Sequence, residues 1–287
     1  MLKMILPLLF IAWFVTPAFA QDHPHTVLWK IEGHRLAHPS YLLGTDHQYN
    51  GAVFLKDHPS VLQYLQQTKA IVTEVKPGET GNGLDPSQMY LGGDSTLQQL
   101  LHPGQYDSLA NFVRTQAPGN EELLQQLPKM KPQIVQLLMT ELLADTSAHA
   151  TMEMDQYLQQ TAVAKGLTPQ GLETSSERTA LLMSGSQYQL CLDAVLKSMR
   201  KAQKGAASEN TVADKSYRDM NIDYAFRQTP IDVGGSAARN TLWLQRLTLM
   251  LPQQPCFIVV GIDHLKATYG LITGLRKRGY TVTPVRI

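Results

Sequence analysis

Short apolar runs that end in polar residues lie near both ends of the chain. In the N-terminal part, "TVLWKIEG" (26–33) and "YLLGTDH" (41–47) predict two strands, and "AIVTEV" (70–75) predicts a third. Residues 58–70 have apolar side chains at helical spacing. Strand, helix and strand in this order indicate a parallel unit. Near the C-terminal end, "CFIVVGIDHL" (256–265), a helical segment (265–279) and "YTVTPVRI" (280–287) predict a second βαβ-like unit.

The middle of the chain has a helical pattern. From about residue 96 to 165 apolar side chains recur at helical spacing, with breaks at Pro103, Pro118 and Pro128. "LTPQGLE" (167–173) predicts one short strand, and further helices are predicted over 176–184, 186–202, 212–227 and 237–251. We therefore expect an α/β fold that leans towards α+β. A central mixed sheet would combine the N- and C-terminal strand units, with a large helical insertion between them.

The first twenty residues have the pattern of a secretory signal peptide. Lys3 precedes an apolar stretch that is shorter than the ~20 residues needed to span a bilayer, and the segment ends in Ala18-Phe19-Ala20. An uncleaved membrane anchor is the alternative. We expect cleavage after Ala20 and a periplasmic or secreted protein that starts at Gln21. Residues 21–287 would form a single domain, since no segment has the composition of a long linker.

The balance of charge and the apolar content exclude nucleic acid as a partner and a membrane span after the leader. The chain has 25 basic and 24 acidic residues, and the leader contains only Lys3, so the mature chain would have 24 of each. This balance gives no electrostatic footprint for nucleic acid. No segment after the leader is apolar enough to span a membrane.

The chain has two cysteines, Cys191 and Cys256. Their wide separation does not match the close spacing of a cysteine metal site. Two alternatives are open in an oxidising compartment: a disulfide between them, or two separate buried thiols.

Ionisable side chains follow four of the predicted strands. Gly-x-Asp-His occurs twice, as Gly44–His47 and as Gly261–His264, while Glu74 and Glu173 end the strands near 70–75 and 167–173. In α/β sheets, ligands bind beyond the carboxyl ends of the strands. Glycine directly after an apolar run allows a sharp turn and close approach of another group. We therefore expect these side chains to share one crevice.

Two histidines and a carboxylate form a ligand set for a divalent cation with open positions. His47 and His264 would be ligands, and Glu74 would be either a third ligand or the general base on a water. Asp46 and Asp263 could join the ligands or hold the imidazole rings from behind. Mixed nitrogen and oxygen ligation suits Mn, Co, Fe or Zn. The alternative is that each histidine is a structural residue at a strand end.

The motifs resemble the signature of the TraB/GumN family, whose eukaryotic relatives include the TIKI proteases. That signature has two Gly-x-x-His motifs near the ends of the chain and a glutamate after the first, which Glu74 matches. "LWKIEG", "MDQYLQQTAVAKG", "GLETSSERTALL" and "RNTLWLQRL" are also similar to the family, and Arg239 matches a characteristic arginine. The resemblance covers essentially the whole mature chain. For the TIKI branch alone, the resemblance implies metal-dependent peptide hydrolysis, whereas the GumN name comes from an exopolysaccharide cluster.

Two functions are compatible with these observations. The first is an exported metal-dependent hydrolase, peptidase-like, that acts on a peptide or protein. There Arg239 could orient a substrate carboxylate or stabilise a developing oxyanion. The second is a non-catalytic envelope protein, a binding or polysaccharide-associated module that retains the fold. The chain has no His-Glu-x-x-His and no complete Gly-x-Ser-x-Gly. The intact set of His47, Glu74 and His264 favours the hydrolase.

Overall fold

The computed structural model describes residues 23–47, 49–76, 86–143, 152–183, 188–203, 215–232 and 235–287. The predicted signal peptide and its cleavage site lie outside these ranges. Within them, six strands form one mixed sheet with helices between its N- and C-terminal strands, as predicted. The strands are β1 (Leu28–Gly33), β2 (Ser40–Thr45), β3 (Ala70–Val75), β4 (Thr168–Glu173), β5 (Cys256–Gly261) and β6 (Tyr280–Val285).

The spatial order of the strands is β4-β3-β5-β2-β1-β6. β4, β3, β5 and β2 are mutually parallel, while β1 runs antiparallel to both β2 and β6. β5 therefore lies between β2 and β3, where Thr45 is paired with Gly261 and Val259 is paired with Thr73. Every residue of β2 and β5 is buried, which is usual for parallel strands covered on both faces. β2 and β5, which precede His47 and His264, and β3, which contains Glu74 near its end, consequently end at the same edge of the sheet.

The helices connect these strands and form the insertion. α1 (Gly51–Asp57) and α2 (Ser60–Gln66) lie between β2 and β3. The insertion contains α3 (Pro86–Met89), α4 (Leu97–Leu100), α5 (Pro103–Gln116), α6 (Glu121–Gln126), a 3₁₀ turn (Leu127–Lys129), α7 (Pro132–Leu142) and α8 (Met154–Ala164) before β4. α9 (Ser175–Met183), α10 (Tyr188–Gln203) and α11 (Ser236–Met250) follow β4. A 3₁₀ turn (Ile262–Leu265) and α12 (Leu271–Lys277) join β5 to β6.

Proline positions explain where several helices begin. Pro103 and Pro132 start α5 and α7, and Pro128 lies in the first turn of a 3₁₀ segment. At the start of a helix proline loses no hydrogen bond, because that N–H has no intrahelical partner. The breaks predicted at Pro103 and Pro128 are thus the starts of new helical segments.

The helix predicted over 212–227 is wrong beyond residue 218. The described part is helical only at 215–218, and Met220 then adopts a φ of 53°. A left-handed residue of this kind ends a helix. The chain instead buries the rings of Tyr217 and Tyr224 beside the sheet, where their hydroxyls donate to the carbonyl oxygens of Gly44 and Thr26 at 2.6 and 2.7 Å.

The buried apolar residues form two clusters. The first surrounds the sheet, and the second lies within α4, α5, α7, α10 and the Leu127–Lys129 turn.

The two cysteines are both buried and both free. Cys191 lies on α10 next to Leu192 of the second cluster, whereas Cys256 opens β5 in the first. The structure thus has two separate buried thiols and not the disulfide.

No helix within the described ranges combines the length and the apolar character required to cross a bilayer.

Candidate functional site

Three of the residues singled out from the sequence converge on Gly261, the last residue of β5. A Cβ atom at this position would lie 3.2 Å from His47 Nε2, 3.5 Å from Glu74 Oε1 and 3.8 Å from His264 Cδ2. The absent side chain thus leaves a small space that the three polar side chains share. The φ of Gly261 is −53°, so its role is close approach and not an unusual backbone conformation.

The other motif glycine, Gly44, has a packing role. A Cβ atom there would approach Leu265 Cδ2 to 3.0 Å and Ile262 still more closely. Both neighbours belong to the 3₁₀ turn that follows β5. Glycine at 44 therefore lets this turn lie directly against β2, which places His264 beside the end of β3.

Glu74 is buried and held by two donors. Its Oε1 accepts a hydrogen bond from the Gly261 N–H at 2.9 Å, and its Oε2 accepts one from Arg239 Nη2 at 2.6 Å. Burial alone would raise the pKa of Glu74. The positive charge that His264 gains below about pH 4, the charge of Arg239 and these hydrogen bonds outweigh burial and lower the pKa of Glu74 to about 2. Glu74 is therefore an anion throughout the physiological pH range.

Arg239 on α11 connects three buried side chains. Its Nε donates to both carboxylate oxygens of Glu173 at 3.0 and 3.2 Å, its Nη2 donates to Glu173 and Glu74, and its Nη1 donates to His264 Nε2 at 3.0 Å. The guanidinium also lies 4.6 Å from the ring centroid of Trp243, whose Nε1 donates to Glu173 at 2.9 Å. Only 6% of the Arg239 side chain is exposed. Its N–H groups are directed at Glu173, Glu74 and His264, inside the protein.

His264 is held on both sides of its ring. Asn240, which is completely buried, donates from Nδ2 to the carbonyl oxygens of His264 and Tyr269 at 3.1 and 3.0 Å. Its Oδ1 lies 2.7 Å from His264 Nδ1 and can only accept. Nδ1 is therefore the protonated nitrogen, and Nε2 is the acceptor that faces Arg239, an assignment made from the hydrogen-bond network. Burial lowers the pKa of His264 to about 4, so the ring is neutral at pH 7.

His47 lies at the open side of the crevice, with about half of its side chain exposed. Its Nδ1 is 3.3 Å from Oδ2 of Asp155, which lies in the first turn of α8. Burial raises the pKa of Asp155, although His47 and the Thr45 hydroxyl partly oppose this. Oδ1 of Asp155 is buried and has no hydrogen-bond partner within the described ranges. A buried carboxylate oxygen without a partner is costly unless another group compensates it.

His47, Glu74 and Asp155 together form a group that could hold a metal ion. Each offers one ligand atom, and these atoms all lie within 4.8 Å of one another. Asp155 was not among the residues predicted from the sequence. Its one signal was the stretch "MDQYLQQTAVAKG", which matched the family without marking Asp155 as a possible ligand.

The aspartates of the two Gly-x-Asp-His motifs are placed differently from the histidines. The Asp263 side chain is 79% exposed and pairs with Lys266 at 2.7 Å. Asn240, and not Asp263, is the side chain that holds the His264 ring from behind. Asp46 is partly exposed, and its carbonyl oxygen accepts a hydrogen bond from the Tyr49 N–H at 3.0 Å.

The site thus consists of strand-end histidines and buried carboxylates that meet at one edge of a mixed sheet. The model of the TraB/PrgY/gumN family matches residues 27–284, nearly the whole chain, so the protein belongs to that family. Comparison with curated proteins and with solved structures gave no significant match. The family predicted from the two Gly-x-x-His motifs is therefore confirmed.

Proposed function

We propose that the protein is an exported, peptidase-like, metal-dependent hydrolase. A divalent cation would be held between His47, Glu74 and Asp155, with Nε2 of His264 as the further nitrogen predicted from the sequence. The observation that carries this proposal is the meeting of these ligand atoms at the carboxyl edge of the sheet, within 4.8 Å of one another for the first three.

The net charge of the buried side chains favours a bound cation. Glu74 and Glu173 bring two carboxylates to the single guanidinium of Arg239, and His264 beside them is neutral. Asp155 adds a further carboxyl group whose Oδ1 has no partner among the described residues. An excess of buried carboxylate over buried cationic groups is costly unless a cation compensates it. A bound divalent ion would supply that compensation.

The types of ligand atom at the site also favour a bound cation. Imidazole nitrogen together with carboxylate oxygen suits Mn, Co, Fe or Zn. The unprotonated Nε2 of His264 is the form that a ligand requires. It accepts from Arg239 Nη1 in this structure, so it would bind a cation only in exchange for that hydrogen bond. When bound, such a cation would polarise a carbonyl group and lower the pKa of a water towards neutrality.

The protein side chains would have distinct roles around the cation. Glu74, with a pKa of about 2, is a weak proton acceptor at neutral pH and is better suited to be a ligand than a general base. Arg239 is occupied by Glu74, Glu173 and His264. It would position Glu74 instead of binding a substrate carboxylate. His47 would form the face that a peptide substrate approaches, because it is the exposed member of the set.

Metal analysis of the purified mature protein tests the proposal. The wild type should retain close to one divalent cation per chain, and His47→Ala, Glu74→Ala and Asp155→Ala should each lose it. Asp263→Ala is the matched control, because Asp263 belongs to the second motif but its side chain is exposed and pairs with Lys266. It should keep the metal. Hydrolysis of a fluorogenic peptide library should follow the metal content across this set.

A wild type that binds no divalent cation would overturn the hydrolase proposal and favour the non-catalytic envelope module. So would equal metal content in all four variants. Thermal unfolding of each variant, measured alongside, separates loss of the ligand from loss of the fold.

A further inference from the structure

We propose that Asn240 is a positioning residue: it fixes the tautomer and ring orientation of His264, so that Nε2 stays unprotonated and faces Arg239 and Glu74 in the crevice. The inference rests on the proposed metal site for its functional meaning. Its structural part concerns only Asn240 and His264.

The amide of Asn240 can have only one orientation. Nδ2 donates to two backbone carbonyl oxygens, those of His264 at 3.1 Å and Tyr269 at 3.0 Å. A flipped amide would place its oxygen against both carbonyls, so that two acceptors would face each other without a proton. Because Asn240 is completely buried, no solvent could relieve that contact. Oδ1 must therefore face His264.

The orientation of the amide determines which ring nitrogen carries the proton. Oδ1 lies 2.7 Å from His264 Nδ1 and has no proton to give, so Nδ1 must be the donor. On the other side of the ring, Nε2 lies 3.0 Å from Arg239 Nη1, which can only donate. Two neighbours on opposite sides thus require the same tautomer. A histidine that binds a metal usually has its other ring nitrogen held in this way.

The His264 ring is held by a contact with Trp243 in addition to its hydrogen bond with Asn240. Trp243, one turn further along α11, lies 4.2 Å from the His264 ring, centroid to centroid, with an interplanar angle of 36°. This contact limits the tilt of the ring, while the hydrogen bond to Oδ1 sets its rotation about the Cβ–Cγ bond. Asn240 and Arg239 are adjacent in sequence on a buried face of α11. One helix therefore presents both groups that define the state of His264.

Two substitutions at position 240 separate positioning from a purely structural role. Asn240→Asp keeps an acceptor for Nδ1–H but loses both donations to the carbonyl groups. Asn240→Leu loses the acceptor and the donor together while keeping a similar volume. If Asn240 acts on His264 through Oδ1, the aspartate variant should keep Nδ1 protonated and the leucine variant should not. If it only ties the backbone together through Nδ2, the two variants should behave alike.

The first readout is ¹⁵N NMR of histidine-labelled, metal-free protein, with the His264 signals assigned by their absence in His264→Gln. Wild type and Asn240→Asp should show a protonated Nδ1, and Asn240→Leu should show its loss. The second readout is Co²⁺ titration by calorimetry. We expect the affinity of Asn240→Leu to fall about 10- to 100-fold, the range seen when the partner of a metal-bound histidine is removed.

Thr241→Ala, an exposed neighbour on the same helix, is the control and should change neither readout. An unchanged His264 spectrum in a folded Asn240→Leu protein would overturn the inference, since Arg239 alone would then suffice. Identical spectra for the aspartate and leucine variants would overturn it as well. A wild type that binds no Co²⁺ but shows the expected spectra would refute the proposed function and leave the role of Asn240 intact.

Discussion

Arg239 Nη2 donates a 2.6 Å hydrogen bond to Glu74 Oε2, and both side chains are at least nine-tenths buried. The carboxylate that the sequence assigned to a metal site is thus also one half of an internal ion pair. Glu173 accepts from Nε of the guanidinium and from the same Nη2. The geometry of Glu74 therefore depends on two residues that come from a separate strand and a separate helix.

Removing Arg239 should destabilise the protein strongly. In Arg239→Met, Glu74 and Glu173 would be left buried without a cationic partner, and breaking a buried pair in this way costs about 3–5 kcal/mol. Arg246→Met is a matched control on the same helix, because Arg246 pairs with Glu177 while about a third of each side chain is exposed. A pair with this much solvent contact contributes about 0–1 kcal/mol, in addition to the hydrogen bond that Arg246 Nη1 donates to the Leu172 carbonyl oxygen. Denaturant unfolding of both variants at pH 7 checks the prediction, and equal losses would contradict it.

Stability should fall in acid, with a window set by two groups. The pKa of Glu74 is lowered from 4.5 to about 2 in the folded protein, so between those values the unfolded chain binds the proton more tightly. Its contribution is therefore present above about pH 4.5 and lost as the pH falls towards 2. The pKa of His264 is lowered from 6.5 to about 4. Its neutral form likewise favours the folded state above pH 6.5 and loses this advantage as the pH falls to 4.

Glu74→Gln isolates the carboxylate contribution. The difference between 4.5 and about 2 corresponds to about 3 kcal/mol, so the variant should lose much less stability than the wild type between pH 5 and pH 2. Between pH 6.5 and 5 the two proteins should lose stability with similar slopes, because removing Glu74 only lowers the pKa of His264 further below this range. Denaturant unfolding at a series of pH values gives these slopes. Parallel curves down to pH 2 would show that Glu74 does not have a lowered pKa.

The sequence predicted the strands and much of the site because both depend on local patterns. A buried strand followed by Gly-x-Asp-His indicates where a side chain leaves the sheet, and parallel strands bring such ends to one edge. Asp155 and Asn240 could not be identified in this way. They lie on helices, and their proximity to His47 and His264 depends on how those helices pack against the sheet. The same limitation applies to Cys191 and Cys256, because a disulfide depends on a distance between two side chains that the sequence does not give.

Processing of the leader is a prediction that the sequence alone carries. The basic residue, apolar stretch and Ala18-Phe19-Ala20 ending predict cleavage after Ala20. Intact-mass measurement of the periplasmic or secreted protein should therefore give a chain that begins at Gln21. Replacing Ala18 and Ala20 with Leu should block cleavage and leave the protein with the membrane fraction. A full-length chain in the wild-type membrane fraction would show instead that the segment is an anchor.

Gly261→Ala should impair metal binding while sparing the fold. The new Cβ would lie 3.2 Å from His47 Nε2 and 3.5 Å from Glu74 Oε1, and no backbone atom is among its closest neighbours. The φ of −53° is one that alanine adopts without strain. The exposed His47 ring can therefore move away, which should preserve the fold but lower Co²⁺ affinity at least about 10-fold, a loss of about 1.4 kcal/mol.

Gly44→Ala gives the opposite expectation and serves as the comparison. There the added methyl group would meet Ile262 and Leu265 in the packed turn after β5, and overpacking of this kind costs about 1–3 kcal/mol. The Gly44 variant should thus lose stability, while the Gly261 variant should lose affinity at nearly unchanged stability. Thermal unfolding and Co²⁺ calorimetry on both proteins measure the two quantities separately. Wild-type affinity in Gly261→Ala would mean that the cation does not lie in the space that His47, Glu74 and His264 share.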